Sequence, residues 1–227
     1  MSKTVIITGA TKGIGKATAE LFLKENYTVI GTGRSEGVIS HEKYQHYTFD
    51  VGNSEAVLAF YSSIKNQLNE VELLVNNAGL GFPTPMDNTT LAGIDEIIRT
   101  NVNGVFYMGH GIIPSMIANK NGHIINISSV AGKDGFPTMS AYCASKYAVT
   151  GLTQSWYKEL RPHGIKVTSI HPGSVNTNFF DPFEEVTANN NMMTANDIAS
   201  SIWHAFNSQT NYHVVEIEMR PLQPKQT

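Results

Sequence analysis

Val5-Ile6-Ile7-Thr8-Gly9-Ala10-Thr11-Lys12-Gly13-Ile14-Gly15 passes from an apolar, β-branched run through glycines and a lysine into a helical pattern. A helix that starts directly after a strand presents unpaired N–H groups and the positive end of its dipole, which suits a phosphate. Glycine lets the backbone turn tightly and lets a pyrophosphate come close. The Walker pattern fails here, because Ala10 stands where its first glycine belongs and Ala17 where its hydroxyl belongs. GxGxxG also fails, since the glycines fall at 9, 13 and 15. A glycine-rich strand-helix turn without a ligand fits the same residues, so the rest of the chain has to decide.

Outward from this turn, β-branched runs recur at Thr28–Gly31, Tyr47–Phe49, Leu73–Val75, His123–Ser128, Val167–His171 and Val214–Met219. Helical spacing lies between them, near Gly15–Lys24, Ser54–Leu68, Leu91–Asn103, Val105–Asn119, Tyr142–Leu160 and Ala195–Asn207. Such alternation predicts an α/β fold: a single doubly wound, Rossmann-like domain over residues 1–227, with a parallel sheet of about seven strands and helices on both faces. Residues 220–227 form a charged, proline-containing tail, expected at the surface. Of the 227 residues, 41% are hydrophobic and 15% charged, as expected of a globular chain. The net charge of -3 and the lack of a basic run argue against nucleic acid. No apolar stretch approaches the ~20 residues of a membrane helix, and the early first strand leaves no room for a signal peptide. The lone Cys143 cannot close an intrachain disulfide, so a reducing cytoplasm is the expected location.

Gly31-Thr32-Gly33-Arg34-Ser35 follows the second run, where a dinucleotide fold places the adenosine ribose. An acidic residue there would bond the 2′-hydroxyl of NAD; Gly33 stands in its place and Arg34 comes next. Arg34 and Lys12 would clamp a 2′-phosphate, which points to NADP (NADPH), although two exposed surface cations would read the same. Asp50 fits two roles, accepting from the adenine amino group or capping the helix near Ser54. The densest chemistry lies in Gly122–Lys146. Ser129 ends an apolar strand, and Tyr142 and Lys146 follow at i,i+4 spacing on one helix face. A tyrosine with a reference pKa of ~10 is a poor proton carrier near neutrality. A nearby lysine cation is expected to lower it, and Ser129 could hold a substrate oxygen. Tyr61-Ser62-Ser63-Ile64-Lys65 repeats the Tyr-x-x-x-Lys pattern without an upstream Ser-Ser, and is read as ordinary helix surface.

Taken in order, these motifs resemble a short-chain dehydrogenase/reductase of the NADP-preferring type, from Thr8 to about Thr177. Thr8–Gly15 resembles the family's TGxxxGxG cofactor turn, and Asn76-Asn77-Ala78-Gly79 its NNAG segment. Asn101 matches the family's catalytic asparagine, with Ser129, Tyr142 and Lys146 as the other catalytic members. Pro172-Gly173-Ser174-Val175-Asn176-Thr177 resembles the PGxVxT segment that holds the nicotinamide amide. The resemblance implies cofactor contacts from Gly9, Thr11, Lys12, Gly13, Ile14, Gly15, Arg34, Asp50, Val51, Asn77, Ala78, Gly79, Tyr142, Lys146, Pro172, Gly173, Val175 and Thr177. It implies that Lys146 bonds the nicotinamide ribose, that Asn101 anchors a water relaying protons to Lys146, and that Tyr142 protonates a carbonyl oxygen that becomes an alcohol. A bulge or capping role for Asn101 fits the same residue.

The segment 178–193 corresponds to the family's substrate lid and is short, acidic and rich in phenylalanine. With Leu80–Asn88 and Ala131–Ser140 it brings Phe82, Phe136, Met139, Phe179, Phe180 and Phe183 toward the expected pocket, with Lys133 as the one basic side chain. A small, mostly apolar carbonyl substrate is expected, unless these aromatics merely pack the lid. The C-terminal Val214–Pro221 resembles the 3-hydroxy acid and serine dehydrogenase branch, which keeps those activities and 3-oxoacyl reduction open. A non-catalytic NADP-binding regulator is a further alternative, against which the complete Asn-Ser-Tyr-Lys set argues. The eight histidines show no HxxxH or HxH spacing and no Cys/His cluster, so no metal is expected and they are read as structural. Helices at Val105–Asn119 and Ser145–Leu160 carry apolar positions on more than one face. The family's habit implies a homotetramer or homodimer through them.

Overall fold

A computed structural model describes residues 3–181, 189 and 191–223, with Phe180 described for its backbone alone. Its elements are β1 (Thr4–Thr8), α1 (Gly13–Lys24), β2 (Thr28–Gly33), β3 (Tyr44–Thr48), α2 (Ser54–Ser63), β4 (Val71–Asn76), α3 (Leu91–Ile98), α4 (Gly104–Asn119), β5 (Gly122–Ile127), α5 (Ser140–Leu160), β6 (Ile165–Pro172), β7 (Val175–Asn176), β8 (Met193–Thr194), α6 (Ala195–Phe206) and β9 (Glu216–Met219). Seven strands form one sheet in the order β3-β2-β1-β4-β5-β6-β9, every neighbouring pair parallel.

Side chains alternate across each strand, so every central strand feeds two cores. Val5 and Ile7 of β1 face α1 and α6, meeting Phe22, Ile198 and Ile202; Ile6 faces α2 and α4, meeting Phe60, Met108 and Ile112. Both sides of β1, β4 and β5 are covered, which is why these strands read as unbroken apolar runs. Phe22 and Trp203 meet edge-on at 5.2 Å, fixing α1 to α6. On the other face Gly111 leaves room for Tyr61, since a Cβ there would fall 2.1 Å from the Tyr61 ring.

That contact corrects the reading of Tyr61 as helix surface. Its ring is 6% exposed and its hydroxyl donates to the Met108 carbonyl at 2.6 Å. The outer strands also differ from expectation. β3 begins at Tyr44 rather than Tyr47, and β9 begins at Glu216 rather than Val214. These edge strands are half-exposed, so apolar runs do not mark their ends. The long helical pattern over Leu91–Asn119 contains a π-helical turn at Arg99–Asn103 that joins α3 to α4.

The strand order reverses between β1 and β4, which opens a crevice beyond their carboxyl ends. The pairing of β7 with β8 brackets the expected lid. Residues 182–188 and 190 of that lid, Phe183 among them, and tail residues 224–227 lie outside the described residues.

Candidate active site

The first wall of the crevice is the glycine turn. Gly9 and Gly13 have φ of 67° and 55°, a left-handed backbone that a side chain would strain. Gly15 serves packing instead: a Cβ there would sit 2.2 Å from the Gly9 carbonyl oxygen. The turn is stapled to the end of β4. Asn77 Nδ2 donates to the Thr8 and Gly9 carbonyls at 2.8 and 3.2 Å, and Thr8 Oγ1 accepts from the Asn77 and Ala78 N–H groups at 3.0 Å each. The two loops that flank the strand-order reversal therefore move as one piece.

A cleft of about 1190 Å³ runs from this turn to the start of α5. Gly9, Thr11, Lys12, Gly13, Ile14, Arg34, Asp50, Val51, Asn77, Ala78, Gly79, Ser129, Tyr142, Lys146, Pro172, Gly173, Val175 and Thr177 all line it. Gly15 and Asn101, expected beside them, do not. Thr100 does, and its hydroxyl is buried with no hydrogen-bond partner among the described residues. Only its place beside Asn101 could have drawn attention to it. At one end Lys12 and Arg34 are the cations, Arg34 standing 3.4 Å from Glu96. Asp50 does not cap α2; Asn53 does, accepting from Ala56 N at 3.1 Å. Burial would raise the Asp50 carboxyl, but the Gly52 N–H at 2.9 Å and Arg99 at 2.7 Å outweigh it and hold it below its ordinary range.

At the other end Tyr142, 9% exposed, lines the cleft together with Ser129, which sits just past β5 and whose hydroxyl donates to the Pro172 carbonyl at 3.4 Å. The Ala131 N–H donates to Ser129 Oγ at 3.1 Å. Lys146 is buried one turn along α5, its ammonium 5.7 Å from the Tyr142 ring centre and donating to the Ile127 carbonyl at 2.8 Å. Burial pushes the Tyr142 phenol up to about 12, with Ser129 pulling the other way, and burial pushes Lys146 down to about 8. The phenol is therefore raised where Lys146 was expected to lower it: loss of water is the dominant influence, and the ammonium stands 5.7 Å from the ring centre. Tyr142 is a protonated phenol at neutral pH.

Asn101 is 1% exposed in the π-helical turn. It holds both backbone groups of Leu80, accepting from Leu80 N at 2.9 Å and donating to Leu80 O at 2.8 Å, and donates to Ser145 Oγ at 2.9 Å. It fixes the loop after β4 to α5 from behind the cleft. Phe82, Phe136, Met139 and Phe179 line the cleft near Tyr142. Lys133 points away, bonded to Glu216 and, at 3.0 Å, to Glu218 on β9. Cys143 is buried beside Tyr142 as a packing residue.

The sequence profile of the short chain dehydrogenase family matches residues 3–187. The chain belongs to this family of oxidoreductases. Serine 3-dehydrogenase of Agrobacterium fabrum is 30% identical over 237 residues, covering 98% of this chain and 95% of that one. A 3-oxoacyl-acyl-carrier-protein reductase of Thermotoga maritima is 34% identical over 189 residues, covering 77% of this chain and 75% of its own. Among solved structures, ElxO with NADP bound superposes with a TM-score of 0.85 at 30% identity, covering 96% of this chain and 98% of that chain. The closed form of serine dehydrogenase complexed with NADP+ gives 0.85 at 26% identity, covering 95% and 94%. Among the described residues no helix is long and apolar enough to cross a membrane.

Proposed function

We propose that this short chain dehydrogenase uses NADPH to reduce a small, largely apolar carbonyl compound to its alcohol. The carrying observation is that the protonated Tyr142 phenol shares the cleft wall with Ser129 where the cleft meets α5, with Lys146 one turn further on. The cofactor supplies hydride when bound. The chain's own part is orientation and proton supply. Lys12 and Arg34 suit the 2′-phosphate, the turn Gly9–Ile14 the pyrophosphate, and Asp50 with Val51 the adenine edge. Asn77, Ala78 and Gly79 line the middle of the cleft; Pro172, Gly173, Val175 and Thr177 line its nicotinamide side. Ser129 Oγ holds the substrate oxygen, Tyr142 gives it a proton, and Lys146 holds the ribose and carries a positive charge below about pH 8.

The substrate side is built from Phe82, Phe136, Met139 and Phe179 beside Lys146, while the other cations among the described lining residues, Lys12 and Arg34, stand at the opposite end of the cleft. Lys133, the one base these loops offered for a carboxylate, is held by two glutamates instead. This favours neutral carbonyl compounds over the 3-hydroxy acids suggested by serine dehydrogenase relatives. Assays of NADPH oxidation with aldehydes, ketones and 3-oxo acids test it; a clear preference for the acids contradicts it. We also read α4 and α5 as the seat of a homodimer or homotetramer, since Phe106 and Tyr147 expose 47% and 48% of their surface there. A single-chain mass by light scattering at micromolar concentration would contradict that. The lone buried Cys143 fits residence in the cytoplasm.

A further inference from the structure

His171 is completely enclosed, with 0% of its surface exposed, one residue before Pro172-Gly173 in the cleft wall. Its Nδ1 lies 3.1 Å from the Ser129 carbonyl oxygen. A carbonyl can only accept, so Nδ1 carries the proton. The same oxygen takes the Gly132 N–H at 2.9 Å. With both bonds made, the Ser129 peptide plane cannot rotate without breaking a buried hydrogen bond. The other ring nitrogen, Nε2, is buried without a hydrogen-bond partner among the described residues and stands 3.7 Å from a Glu216 carboxylate oxygen. Glu216 is in turn held by Lys133, which also binds Glu218 on the same strand. These three are the charged groups that face the imidazole. A buried imidazole with one idle nitrogen is an unusual choice for filling space.

We propose that His171 is a positioning residue, which fixes Ser129 by donating Nδ1–H to its carbonyl. This rests on the reading of Ser129 as the holder of the substrate oxygen. Ser129 Oγ is set by the torsion of a residue whose carbonyl His171 clamps, so a small turn of that peptide swings the hydroxyl away from Tyr142. Misplacement of a reacting group by about 1 Å costs on the order of a hundredfold in rate.

The test uses four purified proteins: wild type, His171→Asn, His171→Leu and Ser129→Ala. Asparagine places an N–H close to where Nδ1 stands, whereas leucine fills the space without a donor. Each is assayed for kcat and KM with the best carbonyl substrate, for NADPH affinity by fluorescence titration, and for thermal midpoint. The proposal expects kcat of His171→Leu to fall by about tenfold to a hundredfold, with NADPH affinity unchanged, and His171→Asn to recover most of that loss. Three results overturn it: unchanged kcat in His171→Leu, an asparagine variant no better than the leucine one, or kcat and NADPH affinity lost together. Ser129→Ala separates the two claims, because full turnover in that variant refutes the role of Ser129 itself and leaves His171 nothing to position.

Discussion

Tyr142 and Tyr61 are the same residue type in the same Tyr-x-x-x-Lys spacing, and burial makes both hydroxyls harder to ionise. What separates them is the surroundings. Tyr61 spends its proton on the Met108 carbonyl inside a helix-helix contact, while Tyr142 lines an open cleft beside Ser129. The sequence distinguished them by the upstream Ser129 and by the small residues of Tyr142-Cys143-Ala144-Ser145-Lys146; the burial of Tyr61 was illegible because it depends on Gly111, distant in the chain, leaving space for the ring. Arg34 was legible from the missing acid at Gly33, but its Glu96 neighbour was not. Replacing Arg34 with Asp removes the cation and adds a repelling charge. Loss of a charge-assisted bond of about 1.5–3 kcal/mol predicts roughly tenfold to a hundredfold weaker NADPH binding. NADH binding should be unchanged or tighter, as judged by fluorescence titration of both. Equal weakening of the two would deny Arg34 a role at the 2′-phosphate.

Among the elements, the central strands were readable because each is buried on both faces, and the edge strands were blurred for the opposite reason. The π-helical turn at Arg99–Asn103 left no mark in the apolar spacing, and only the bulge role considered for Asn101 anticipated it. It exists because Asn101 turns inward to hold Leu80, a contact between positions 21 residues apart. Asn101→Ala leaves both Leu80 groups unpaired, and each such loss costs about 1–3 kcal/mol; a lower thermal midpoint is expected alongside reduced turnover. Helix α6 starts with a reciprocal cap, Thr194 accepting from Asp197 N at 3.3 Å while Asp197 accepts from Thr194 N at 2.7 Å. Thr194→Ala should cost about 1 kcal/mol, lowering the thermal midpoint by roughly 2–4 °C for a chain of this size. Turnover at 25 °C should persist, since the cap lies outside the cleft.

For the molecule as a whole, acid is the expected weakness. At the end of the sheet away from the cleft, His123 is buried and bonded to Thr168 at 2.8 Å, and His213 lies 5.8 Å from it ring to ring. Burial lowers both, with Lys166 adding to the effect; His213 falls to about 4 and His123 well below its ordinary value. The unfolded chain therefore binds more protons than the native one between the ordinary value of about 6.5 and 4. Stability from these groups is complete above that ordinary value and is lost as pH falls through the window. A thermal midpoint that drops between pH 7 and 5, and drops less in a His213→Gln variant, is expected; a flat profile would contradict it. The catalytic account reduces to one proton. NADPH oxidation should be compared in wild type and Tyr142→Phe with a neutral carbonyl substrate, alongside NADPH affinity. A phenylalanine variant that binds NADPH normally but turns over about 10²–10⁴-fold more slowly is the predicted result for loss of a general acid. Turnover preserved in that variant would contradict the assignment of Tyr142 as the proton donor.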